Sequence, residues 1–107
     1  MSEMRPSIPP NLPECLAAAG TALWLGWREQ TPEARAMREA ARTSDLRCVG
    51  RGIWGDQLAD RVGVSTDAAE RGLDRLVAAG LLHRNRSGLV WAPDSALAML
   101  NRLAGLG

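Results

Sequence analysis

Lysine, phenylalanine and tyrosine are absent from this chain of 107 residues, and histidine occurs once, at His83. The bias toward arginine fits a GC-rich genome better than any mechanism. Two cysteines, Cys15 and Cys48, lie far apart without CxxC spacing. They suggest neither a zinc site nor a disulfide framework, so buried free thiols, no metal and no cofactor are expected. The longest strongly apolar run, Cys15 to Trp27, is too short for a membrane span. Met1 to Asn11 is polar and proline-rich, without the charged and then greasy layout of a signal segment, so a cytoplasmic protein is expected. A nucleophile-base arrangement, a glycine-rich phosphate loop and a metal-ligand cluster are all missing, and with them the expectation of an enzyme.

The chain does carry 13 arginines against 12 acids, a net charge of +1. That is low for a nucleic-acid binder, whose non-specific affinity comes from neutralised phosphates and displaced counterions. Any such binding must depend on where the arginines sit, with the acids placed away from the docking face. The length suits one hydrophobic core and is too short for two.

Residues 1–11, with Pro6, Pro9 and Pro10, read as a flexible or extended arm, and residues 12–107 as one domain. From Leu12, apolar residues recur at helical spacing through Cys15, Leu16, Ala19, Leu23, Trp24 and Trp27, which predicts a largely buried first helix. Thr31-Pro32-Glu33 supplies an N-cap, a proline suited to the first helical position and an acid in the first turn. A second, more polar helix should follow to Arg42. Gly50-Arg51-Gly52 reads as a turn, with Arg51 a weaker candidate for clamping a nucleic-acid backbone, and Ile53-Trp54 as a very short strand.

From Gly55 onward the pattern is more specific. Gln57 to Val62 is helical, Gly63-Val64-Ser65 interrupts it, and Thr66 to Ala79 resumes with apolar Ala69, Leu73, Leu76 and Val77 before Gly80. Two short helices therefore meet at a tight turn. Leu58 and Val62 face the core, Ala59 is the small residue at the crossing, Gly63 supplies a positive φ, Val64 plugs the turn, and Ser65 or Thr66 caps the second helix. Leu81 to Arg84 and Leu89 to Ala92 are strand-like around Ser87-Gly88, which predicts a hairpin. Asp94 can cap a last helix with an apolar stripe of Leu97, Leu100, Leu103 and Ala104.

The segment LADRVGVSTDAAERGLDRLVAAGLL resembles the winged helix-turn-helix regulators, including those of the GntR, MarR and IclR types, from Gly55 to Ala92, about a third of the chain. The resemblance implies a mainly α fold with a small β-hairpin wing: a helix-turn-helix over 55–79, a wing over 81–92, extra N-terminal helices and a C-terminal helix over 94–106. It also implies that Thr66 to Ala79 is a recognition helix for double-stranded DNA and that the protein is a transcriptional regulator of a bacterial type, most simply a repressor.

With the inward set fixed, Thr66, Asp67, Glu70, Arg71, Asp74 and Arg75 point outward. Arg71 is the foremost candidate for reading a base, since arginine engages guanine O6 and N7 with two hydrogen bonds. The bland alternative is an ion pair with Asp67 one turn earlier. Ser65, Thr66, Asp67 and Arg75 complete the candidate set on the helix. On the wing, Arg84, Asn85 and Arg86 are suited to phosphate or the minor groove, whereas His83 reads as a strand-end residue. Three acids, Asp67, Glu70 and Asp74, share the outward side and would repel phosphates.

A lone winged domain buries little DNA surface, so a homodimer on a palindromic site is expected, through the first helix or the last. No small-molecule ligand is indicated. The tryptophans at 24, 27, 54 and 91 read as packing anchors. The rival class is a winged helix serving as a protein-interaction or assembly module, and a further variant is a plasmid or phage replication or segregation protein that binds DNA.

Overall fold

The computed structural model describes residues 14–43 and 52–106. The predicted arm over 1–11, Cys48 and Arg51 lie outside the described residues. The helices are α1 (Glu14–Leu25), α2 (Pro32–Arg42), α3 (Gly55–Val62), α4 (Thr66–Ala78) and α5 (Leu97–Leu106), with strands β1 (His83–Arg84) and β2 (Val90–Trp91) between α4 and α5. The fold is mainly α with a small antiparallel hairpin, as the sequence pattern predicts.

Each boundary has a local cause. The Thr31 hydroxyl accepts from the backbone N–H of Ala34 at 3.1 Å and starts α2, with Pro32 in its first turn. α3 ends at Gly63, whose φ of 80° lies in the left-handed region that an L side chain enters only with strain. Val64, half-buried, folds back so that its N–H reaches the Ala59 carbonyl at 3.2 Å. Of the two candidates for capping α4, Ser65 does so, accepting from Ala68 N–H at 3.1 Å. α4 closes at Gly80, where the N–H of Leu81 reaches back to the Leu76 carbonyl at 3.0 Å.

The hairpin pairs His83 with Trp91 and Arg84 with Val90. Ile53 bridges to Val90 from the other side, its N–H on the Val90 carbonyl at 2.7 Å and its carbonyl accepting from Val90 N–H at 3.0 Å. The short strand expected at Ile53-Trp54 is this single bridge. It ties the entry of α3 to the hairpin.

Leu58, Leu73, Leu76, Val90, Leu100, Leu103, Met37, Ile53 and Trp27 are fully buried and form one core with the alanines of α2. Two expectations need correction. Asp94 does not cap the last helix; it opens a 3-10 turn over Asp94–Ala96 with no side-chain cap, and α5 begins only at Leu97. On α1, Leu23 is 81% and Trp24 44% exposed, because one side of that helix packs on α5 and the other faces outward. Trp27, by contrast, lies past the helix end and turns inward, its backbone N–H on the Ala22 carbonyl at 2.8 Å.

α4 lies directly on α2, and the contact is set by Gly72. A Cβ there would sit 2.7 Å from the Glu33 carbonyl oxygen and 3.2 Å from the Ala36 Cβ. In an open helix, alanine would stabilise relative to glycine by about 0.5–1 kcal/mol. Here Gly72→Ala must force the helices apart, so a net loss of about 1–3 kcal/mol is expected in urea unfolding. A gain in stability would show that the two helices are free to separate.

Candidate nucleic-acid interface

Along α4, Ala69, Gly72, Leu73 and Leu76 face the core at helical spacing. Thr66, Asp67, Arg71, Asp74 and Arg75 are exposed on the opposite side, and Glu70 is half-buried at its edge. The outward set inferred from the sequence is thus a continuous face running from the Gly63 turn to the hairpin. Its charges, however, are largely spoken for.

Arg71 pairs with Glu33 at the start of α2 rather than with Asp67. Its Nε donates to Glu33 Oε2 at 2.8 Å and its second terminal nitrogen lies 2.7 Å from the same oxygen. The arginine side chain is still 59% exposed, the glutamate only 16%. A hydrogen bond from its own backbone N–H, followed by that from Arg71, holds the Glu33 carboxyl below its ordinary pKa. Its contribution to stability is therefore present above the ordinary glutamate range and lost only as pH falls through the depressed value. Arg75 also turns back, donating to the Leu25 carbonyl at the end of α1 at 3.1 Å, where a cation complements the helix dipole.

The acids on α4 face the wing. Arg84 on β1 donates to Glu70 Oε1 at 2.8 Å and, through its other terminal nitrogen, to Asp74 Oδ1 at 2.6 Å. Glu70 reaches this position over the start of α3 because residue 55 is glycine: a Cβ there would collide with the Glu70 carboxylate. Two of the three acids that would oppose a phosphate thereby share one cation of the chain itself, which offsets part of their charge. Asp67 lies outside this cluster.

At the tip of the hairpin Asn85 is largely committed to the loop. Its Oδ1 accepts from Ser87 N–H and Leu89 N–H, both at 3.0 Å, and from the Ser87 hydroxyl at 2.7 Å. Arg86 is exposed beside it. His83 stacks on Trp91 with ring centroids 5.0 Å apart. Of the eight candidate residues, then, Thr66, Asp67 and Arg86 present exposed side chains with no partner among the described residues. Ser65 caps α4, Asn85 builds the loop, and Arg71, Arg75 and Arg84 are held by other elements.

The sequence pattern passed over Arg35, Arg38 and Arg42, which follow one another on α2 at helical spacing and line a shallow groove with Arg61 and Val62 of α3. Among the described residues, no group of three or more His, Cys, Asp or Glu side chains is placed to hold a metal ion. No described helix is long and apolar enough to cross a membrane. No family model, curated protein or solved structure matches the chain.

The Arg84 clasp has a direct thermodynamic test. Ion pairs this close to solvent contribute about 0.2–1 kcal/mol each. In a double-mutant cycle of Arg84→Ala and Asp74→Asn, followed by chemical unfolding, the two changes should be coupled by an amount in that range. Strict additivity would mean that Arg84 and Asp74 do not interact in solution.

Proposed function

We propose that this chain is a sequence-specific, double-stranded DNA-binding transcriptional regulator, a repressor in its simplest form, acting as a homodimer on a palindromic site and belonging with the winged helix-turn-helix proteins. The observation that carries the proposal is the local geometry from Gly55 to Trp91. A short helix, a left-handed glycine turn and a second helix with its polar face in solvent are followed by a two-stranded hairpin clasped to that helix. A helix presented this way fits the major groove of B-DNA, about 12 Å wide, with its N-terminal residues nearest the bases. Thr66, Asp67 and Arg71 lie in that half, and Arg86 projects from the wing toward flanking phosphate.

Arg71 takes part without abandoning Glu33. A guanidinium has five N–H donors, and the bridge occupies its Nε edge while the N–H groups between the two terminal nitrogens stay open. Glu33 then acts as the group that aims the arginine at a base. The dimer is supported by α1, which carries no charged residue from Cys15 to Leu25 and leaves Leu23 and Trp24 outward while its other side is covered by α5. A helix apolar on every side is normally buried on every side, and a second copy of α1 meets that requirement. A protein-interaction role is favoured by one observation only: Arg71 and Arg84 are already paired, while the acid Asp67 stands without a partner among the described residues near the start of α4.

Selection from random duplexes, with sequencing of the bound pool, separates the two. Regulation of this type predicts an inverted repeat with half-site centres about one helical turn apart. Arg71→Ala should then lose preference at one base-pair position in each half-site, at a cost of about 1–3 kcal/mol. Failure to enrich any sequence, with retention no tighter than roughly 10⁻⁴ to 10⁻⁶ M at physiological salt, would assign the α4 face to a protein instead.

A further inference from the structure

The groove between α2 and the end of α3, about 280 Å³, is lined by Arg35, Arg38, Glu39, Arg42, Arg61 and Val62. Among the described residues four cations thus meet one carboxylate, and none of the ion pairs of α4 and the wing extends here. Two of the three α2 arginines, Arg35 and Arg38, are held by neutral oxygens. Arg35 donates to the Val62 carbonyl at 3.0 Å, Arg38 to the carbonyls of Trp27 at 2.7 Å and Glu29 at 3.2 Å, and Arg61 to the Thr43 hydroxyl. A carbonyl or hydroxyl partner orients a guanidinium without cancelling its charge. Each bond uses one nitrogen, so Arg35 and Arg38 keep further donors for an anion. Holding the like charges of Arg35, Arg38 and Arg42 along one helix is itself unfavourable, and an anionic partner relieves that repulsion.

We infer that this arginine face grips the phosphate backbone of the duplex beside the groove entered by α4, so that the main electrostatic contact is made by α2 and α3 and not by the wing. This rests on the DNA reading of α4. The placement fits. Arg35 is anchored on Val62, three residues before the Ser65 cap of α4, and three residues of extended chain span no more than about 11 Å. That is comparable with the width of the major groove, about 12 Å, so a strand bordering the groove at α4 runs within reach of Arg35. Arg42 lies two turns farther along α2, about 10 Å at 1.5 Å per residue, so the row can follow successive phosphates of one strand.

The test uses the full chain carrying Arg35→Gln and Arg42→Gln, with Arg42→Gln alone as a second variant, because Arg42 makes no bond whose loss would unsettle the fold. Affinity for the selected duplex and for a random duplex is followed by fluorescence anisotropy across a range of salt concentrations. Each phosphate contact contributes about 0.9 to the slope of log affinity against log salt, which amounts to about eightfold in affinity at 0.1 M relative to 1 M salt. The single variant should lose one such increment and the double variant two. The loss should be equal on both duplexes, with base preference unchanged and the slope largely restored by Arg35→Lys with Arg42→Lys. Wild-type slopes in both glutamine variants, while the protein still binds its selected site, would overturn the inference and leave the α4 assignment standing. Failure of the unaltered protein to bind any duplex would overturn both.

Discussion

The close approach of α4 to α2 at Gly72 is the constraint on which the rest of the arrangement depends. Because residue 72 has no side chain, α4 lies with its backbone near the Glu33 carbonyl and the Ala36 methyl. That approach places Leu73 and Leu76 in the core and turns Thr66, Asp67 and Arg71 into solvent. It also brings Glu33 beside Arg71, two residues separated by 38 positions in the chain. A similar absence of side chain at Gly55 admits Glu70 over the start of α3, where it meets Arg84. Backbone approach at Gly72 and room for the Glu70 carboxylate at Gly55 thus bear on which charges meet.

Those meetings explain how a net charge of +1 is compatible with a polyanionic partner. Two acids of the α4 face, Glu70 and Asp74, share the wing arginine within the fold, and Arg71 is matched by Glu33. The arginines of α2 are held mainly by backbone carbonyls and keep their field. The molecule is nearly neutral in sum and polarised in distribution, which is the property that matters for an extended charged ligand.

The succession of α3, a glycine turn and α4 was legible in the sequence because its determinants are local. Gly63, Ser65 and the apolar spacing of α4 act within a few residues of one another, and Thr31-Pro32 starts α2 for the same reason. Roles that depend on tertiary pairing were not legible. Nothing near Arg71 points to Glu33, and the acids at 70 and 74 look like a liability until β1 brings Arg84 across them. Asn85 looked like a contact residue because the same amide that can meet DNA also closes a tight loop. The α1 pattern failed differently: apolar spacing identifies a helix, but it does not say how many of its sides the chain itself covers, and Leu23 stays outside. The arginine row on α2 was visible as spacing, and its meaning appeared only once α3 supplied the facing wall.

A two-dimensional NMR titration of the isotopically labelled protein with a duplex of its selected sequence, observing backbone amides and arginine Nε–H groups together, tests the docking face most directly. The account predicts that signals from Thr66 to Arg71 and from the Arg35 and Arg42 side chains shift in parallel and saturate together, while those of α5 stay in place. Shifts confined to the outward face of α1, or to the wing with α2 and the start of α4 unmoved, would contradict it.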